Sequence, residues 1–404
     1  MFRIGSALIT LRAWRPPTVS RGASYDVTFP CPSRLGYLRP GLNQERNPVK
    51  SFTRKRALAA VSIAGAAALM LSACGAAPED NAGGSGAPAE SDFLACAVSD
   101  EGSWNDKSFN EAAYGGLEMA KDELGIEIND AESGSPEDFQ PNLEAMVGAG
   151  CDVTFAVGFN FSLNDVMTNV ANDNPDSHFV WIDGWNSGET NLKPIQYSMA
   201  ESSFLAGYLA AAYSTTKTVG TYGGMDIDAV TVFMKGFENG AKYYEKETGT
   251  PVTVVGMTDF VGDFENTGLA KSISEGQLTA GADVIFPVAG GLFTATAEAI
   301  RESGGNAVML GVDKDIAVTQ PELADITLTS VEKRMTQAVF DVISALADGE
   351  EFDIEPYVGT LANDGTALSS FGEFDDKVSD EIKAKLDELK AGIIDGSIDP
   401  LAAM

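Results

Sequence analysis

Two carboxylates and one aromatic ring lie close together in the segment VSDEGSWNDKSFNEAAYGGL, at Asp100, Asp106 and Phe109. Carboxylates can accept hydrogen bonds from a ligand's hydroxyl or N–H groups. In pairs they can also do acid–base work. The apolar run Phe93–Val98 just before them reads as a short buried strand. Helical periodicity starts after them, through Phe109, Ala112, Ala113, Gly116, Leu117, Ala120 and Leu124. Ser108 followed three residues later by Glu111 has the form of a capping box and predicts a helix start at Ser108. The trio is therefore expected at the carboxyl edge of a sheet, where ligands bind in open α/β folds. Taken alone, Asp106 also reads as a turn residue and Phe109 as a core residue.

The elements that would position these residues alternate. Strand-like runs at Phe93–Val98, Ile126–Ile128, Val153–Val157, Phe179–Ile182 and Ile195–Tyr197 enclose helical patterns at Phe109–Leu124, Pro136–Ala149 and Leu163–Ala171. Such alternation predicts βαβ units and a parallel sheet. A second series begins with an apolar helix at Glu201–Ala212, whose Ala206-Gly207 suits close packing. Strands at Val219–Tyr222, Val252–Val255, Val284–Val288, Val308–Val312 and Ile326–Val331 then alternate with helices at Val230–Glu247, Thr267–Ala280, Phe293–Ser303 and Met335–Ala347. A charged amphipathic helix is predicted at Asp380–Leu389. The expected fold class is α/β, with two doubly wound Rossmann-like lobes of periplasmic-binding-protein type. A three-segment hinge is expected at Ile195–Tyr197, Ile326–Val331 and near Tyr357–Leu361. Residues 92–198 plus 330–356 are assigned to lobe I, and 199–329 plus 357–404 to lobe II.

Ahead of the lobes, Arg54, Lys55 and Arg56 precede the uncharged run Ala57–Ala73, which ends in Leu71-Ser72-Ala73-Cys74. A cationic flank, a short apolar stretch and a small-residue end make a secretory signal. A cysteine directly after Leu-Ser-Ala resembles the bacterial lipobox, which implies lipidation at Cys74. The run is short for a membrane span, which takes about 20 apolar residues. Residues 49–73 are read as a lipoprotein signal peptide and 1–48, Arg- and Pro-rich without periodicity, as a misassigned leader with Val49 as the true start. Residues 74–91, rich in Gly, Ala, Ser and Pro, read as a flexible tether.

The chain carries 59 acidic and 27 basic residues, a formal net charge of −32. Residues 1–73 hold 11 of the basic and 2 of the acidic residues, so the remainder, with 16 basic and 57 acidic, stands at −41. Binding to nucleic acid through its phosphates is excluded, and anionic lipid headgroups are repelled, so membrane attachment is expected through the anchor alone. A single histidine, His178, is expected in an exposed loop, and it rules out a multi-histidine metal site. No G-x-S-x-G partner for a serine triad is present. No cofactor is expected. Cys96, in mid-strand, and Cys151, at a strand start, are offset if their strands align, and are read as buried free thiols.

The segments SDEGSWNDKSFNEAAYGGL, ESSFLAGYLAAAYS (Glu201–Ser214), KGFENGAK (Lys235–Lys242), GADVIFPVAGG (Gly281–Gly291), LGVDKD (Leu310–Asp315), LTSVEKR (Leu328–Arg334) and AGIIDGSIDP follow one another in order. In order and spacing they resemble the basic membrane protein family of ABC-transporter substrate-binding lipoproteins, of the purine nucleoside-binding type. The resemblance implies a base stacked between Phe109 and Phe264. Asp183 would read the base, and Asp100, Asp313 and Lys333 the ribose. Gly290 would let backbone approach the sugar, and Asp106 joins the candidate ligand-binding set. Three local features depart from the family pattern: Glu101–Trp104 in place of a glycine-rich loop, Asn266 in place of an aspartate, and Gly290-Gly291-Leu292 in place of a G-x-G turn.

The expected function is capture of a purine nucleoside by a lipid-anchored monomer on the extracytoplasmic face of the cell membrane, serving an ABC permease and its ATPase. The expected protein is not an enzyme. Two other readings remain open: another small polar ligand such as a sugar, or a membrane-anchored sensor or co-receptor. A hydrolase using Asp100 with Asp313 is disfavoured, because no nucleophile accompanies them.

Overall fold

The computed structural model of the protein describes residues 91–402; the leader, the signal segment with Cys74, and Cys31 lie outside the described residues. Lobe I opens with β1 (Leu94–Glu101), α1 (Phe109–Leu124), β2 (Glu127–Ser133), α2 (Phe139–Ala149), β3 (Val153–Val157), α3 (Val166–Asp173), β4 (Phe179–Ile182) and β5 (Leu192–Tyr197). Lobe II follows with α4 (Met199–Tyr213), β6 (Thr218–Gly223), α5 (Asp228–Thr248), β7 (Thr253–Val255), α6 (Thr267–Thr279), β8 (Val284–Val288), α7 (Phe293–Ser303), β9 (Val308–Asp313), the short α8 (Ile316–Thr319) and β10 (Thr327–Lys333). The chain then returns to lobe I for α9 (Met335–Ala347), which packs on α1, and β11 (Tyr357–Gly359). It ends in lobe II with β12 (Thr366–Leu368) and α10 (Asp380–Ile394).

The two six-stranded sheets have matching orders, β11-β5-β4-β3-β1-β2 and β12-β10-β9-β8-β6-β7. All the ladders are parallel except the β10–β12 pair. Both are doubly wound, as the alternation predicts. The central strands β3, β4, β8 and β9 are buried along their whole length, which is why they read as continuous apolar runs. Helix α4 is buried almost throughout because it lies against α5. A Cβ at Gly207 would collide with the carbonyl of Phe237, so only glycine permits that approach. Among the described residues no helix is long and apolar enough to cross a membrane.

The three crossings between lobes fall near Ser198, Arg334 and Thr360–Gly365. Two of the expected boundaries shift. Residues 330–333, assigned to lobe I, stay in the lobe II sheet, where Ser330, Val331 and Glu332 pair with Gly311, Val312 and Asp313. Residues 357–359, assigned to lobe II, pair with Ile195, Gln196 and Tyr197 in lobe I. The hydrogen-bond ladders carry both strands past the expected exchange points.

Two further expectations are corrected. Cys96 and Cys151 are not free thiols; they form a disulfide with Cα atoms 5.9 Å apart. Cys96 pairs with Thr154 in the ladder, three residues beyond Cys151. Gly150, in the left-handed conformation, ends α2 and turns the chain, and both cysteines meet in the apolar layer between β1, α2 and α3. Ser108 does not form the expected capping box. Asp106 takes that place. Its Oδ1 accepts from the backbone N–H of Ser108 (2.8 Å) and Glu111 (3.1 Å), and its Oδ2 from that of Asn110 (2.9 Å).

Candidate functional site

The carboxyl ends of both sheets face one cleft. Asp100 and Glu101 end β1, Phe159 follows β3, and Asp183 follows β4. From lobe II come Gly290 after β8, Asp313 at the end of β9 and Lys333 at the end of β10. Phe109 sits on the first turn of α1, and Phe264 on the loop before α6. Together they line a cavity of about 360 Å³, within the range of small-molecule sites. All eight residues singled out from the sequence line it: Asp100, Asp106, Phe109, Asp183, Phe264, Gly290, Asp313 and Lys333.

The strongest contact across the cleft is ionic. Lys333 is 3% exposed, and its ammonium donates to both oxygens of Asp183, at 2.6 Å to Oδ1. The same ammonium lies 4.8 Å from the centroid of Phe109 and 5.3 Å from that of Tyr197. Lys333, expected as a ribose reader, is paired with an aspartate 150 residues away in the chain. A second bridge joins the lobes where the Ser108 hydroxyl donates to Asp313 Oδ2 at 2.6 Å.

The carboxylates differ in environment. Asp100 accepts from the backbone N–H of Asn160 at 3.3 Å. Burial pushes its pKa well above the usual range despite that bond, and Glu101, Asp183 and Asp106 push the same way. Asp313 is pushed up to about 6 by burial, with Lys333 and Ser108 opposing the shift. Burial also raises Asp106, against the N–H groups it caps. Its two oxygens accept three backbone N–H bonds and the side-chain amide of Asn110 (3.2 Å). That leaves little capacity for a ligand, so the observed work of Asp106 is to fix the start of α1 and hence Phe109.

Several lining residues escape sequence reasoning. Phe233 reads as a core position of α5, and Phe159 as a loop apolar residue; both line the cavity. Asn110 is 4% exposed and also lines it. Its amide nitrogen binds Asp106, while its Oδ1 is buried without a partner. A polar residue on a first helical turn carries no sequence signal that separates it from a solvated face. The departures named above sort differently. Glu101 lines the cavity and accepts from Asn160 Nδ2 at 3.1 Å. Trp104 points elsewhere, stacked on Tyr114 with its indole N–H on Asp130 at 2.8 Å. Asn266 caps α6 by accepting from the N–H of Leu269 at 3.1 Å.

Comparison with known proteins follows the same lines. A family profile described as Bmp, ABC transporter substrate-binding protein PnrA-like, matches residues 93–365. The chain is 28% identical over 361 residues to the ABC transporter nucleoside-binding protein BmpA of Lactococcus lactis subsp. cremoris, covering 85% of this chain and 98% of that protein. It is 30% identical over 303 residues to basic membrane protein A of Borreliella burgdorferi, covering 74% of this chain and 85% of the relative. Among solved structures, an ABC transporter solute-binding protein from Aeropyrum pernix K1 superposes with a TM-score of 0.69 at 24% identity, over 76% of this chain and 92% of that one. The architecture is that of type I periplasmic-binding proteins.

Proposed function

Because the chain belongs to the Bmp family of PnrA-like ABC transporter substrate-binding proteins, we propose that its cleft captures purine nucleosides for an ABC permease and its ATPase. The observation that carries this reading is the convergence of Phe109, Phe264, Asp183, Asp313 and Lys333, drawn from both lobes, on one cavity. A purine stacked on a phenylalanine gains about 1–3 kcal/mol. Stacking tolerates any base, so selectivity falls to hydrogen bonds. The orphan Oδ1 of Asn110 accepts a base N–H, and Asp183 serves the same end. Asp313 and Lys333 meet the ribose hydroxyls, one accepting and one donating. The protein acts as a binding protein, and the buried acids serve recognition.

The anchor belongs to the same proposal. Cys74 lies outside the described residues, and its lipidation rests on the Leu71-Ser72-Ala73-Cys74 sequence. Attached there, the lobes stand off the extracytoplasmic face of the membrane on the tether.

Native mass spectrometry of purified protein tests the ligand directly, followed by calorimetry with inosine, guanosine, adenosine and free hypoxanthine. A co-purified nucleoside, or nucleoside affinity well above that for the free base, is the expected result. Retention of a sugar or polyol with no nucleoside binding refutes it.

A further inference from the structure

Outside the cavity, at the side of the cleft, one ion pair spans the lobes without lining the ligand space. Lys314 of lobe II donates to Glu111 Oε1 of lobe I at 2.6 Å, both side chains being about a quarter exposed. Neither residue lines the cavity, yet each adjoins one that does. Lys314 directly follows Asp313, and Glu111 stands two positions after Phe109. Glu111 has a second partner in its own lobe: Lys107 Nζ lies 3.4 Å from Oε2. Lys107, 46% exposed, would keep Glu111 charged and solvated when the lobes part.

We infer that Glu111 and Lys314 form a closure clasp, a pair of positioning residues that sets how long a ligand is retained without touching it. The inference rests on the small-ligand capture proposed above, but not on which ligand is captured. A ligand seated against Asp313 and Phe109 fixes the two backbone segments that carry the clasp. Closure then brings Lys314 onto a carboxylate that Lys107 already orients, so no charge is stranded in either state. The pair forms only after the lobes meet, so it acts on release and leaves capture untouched.

Stopped-flow measurement with inosine on the full lobes (residues 91–404) tests this at low and high salt. Lys314→Gln should release inosine about 3- to 10-fold faster, the scale of a partly exposed ion pair, with an unchanged association rate. Lys314→Arg should restore slow release, and added salt should speed release from the parent but not from Lys314→Gln. Lys107→Gln should move release less than Lys314→Gln does. An unchanged release rate in Lys314→Gln overturns the clasp. If the parent binds no inosine, the nucleoside reading fails by itself. The clasp is then judged by the distance between spin labels at Gln140 and Asp387 in ligand-free protein. Lys314→Gln shifting that distribution to longer distances supports the clasp, and an unchanged distribution overturns it.

Discussion

Asp183 and Asp313 occupy the same place in the two lobes. Each stands at the carboxyl end of the third strand in its sheet order, β4 and β9, and each has a left-handed backbone, with φ of 61° and 65°. That conformation is uncommon outside glycine and is tolerated best by Asn and Asp. The lobes thus present matched carboxylates to the cleft, and Lys333 pairs with the one from lobe I.

Asparagine at Asp313 should keep nearly the parent stability, while a β-branched residue there should lose some of it. Asp313→Asn is expected within a few degrees of the parent melting temperature, and Asp313→Val to lose roughly 1–2 kcal/mol from the forced φ. Thermal melts of the two variants compare them, and equal stability of both contradicts the left-handed assignment.

The pH dependence of Asp313 has a definite sign. Its folded pKa, near 6, lies above its ordinary 3.8. Between those values the folded chain holds more protons than the unfolded one, so this group's contribution to stability falls as pH rises through about 4 to 6. Above that window the full burial cost is present. Asp313→Asn removes it, so the melting temperature of the variant minus that of the parent should rise from pH 4 to pH 7. Asp100 remains in both proteins and cancels. A difference independent of pH rules this out.

Phe109→Ala and Phe264→Ala should each weaken inosine binding about 5- to 150-fold, the scale of one stacked base. Both rings are only partly buried, so both variants should fold. Calorimetry with unchanged affinity in both variants would dispose of the stacking clamp.

Lys333→Met leaves Asp183 unpaired in a buried site beside Asp100 and Asp313. Removing one partner of a buried pair costs about 3–5 kcal/mol. The cost falls on the closed form, because Lys333 and Asp183 belong to different lobes. Small-angle scattering should show a more open molecule. Adding Asp183→Asn to Lys333→Met should recover part of the loss, whereas strictly additive losses would mean the two residues do not act as a pair.

The Cys96–Cys151 bridge closes 55 residues of lobe I. On chain-entropy grounds its removal costs roughly 4 kcal/mol. Trp104, Trp181 and Trp185 all lie in lobe I, so their fluorescence reports it selectively among the described residues. Urea titration of the Cys96→Ser/Cys151→Ser double variant should show an earlier fluorescence transition than the parent, and coincident curves count against the bridge.

Local patterns were enough to determine the two α/β series. A buried parallel strand must be continuously apolar, and a helix over a sheet must repeat every 3.6 residues; both marks survive in the linear chain. Asp100, Asp106 and Phe109 were legible for the same reason, since they stand between the end of an apolar strand and the start of a periodic helix, whereas Asp183, Phe264, Gly290, Asp313 and Lys333 were marked by the resemblance of their segments to a known family. What each of them touches was decided only by tertiary structure. Ser108 lost its capping role because its hydroxyl meets Asp313, 205 residues away in the other lobe. Lys333 found Asp183 at a separation of 150 residues. The disulfide depended on a left-handed turn at Gly150 that bends Cys151 out of line with its strand. The lobe boundaries moved with strand pairing at the sheet edges, which leaves no mark in side-chain periodicity. Periodicity records which face of an element is buried. It does not record which distant group shares that face, because that depends on how two separately folded sheets meet.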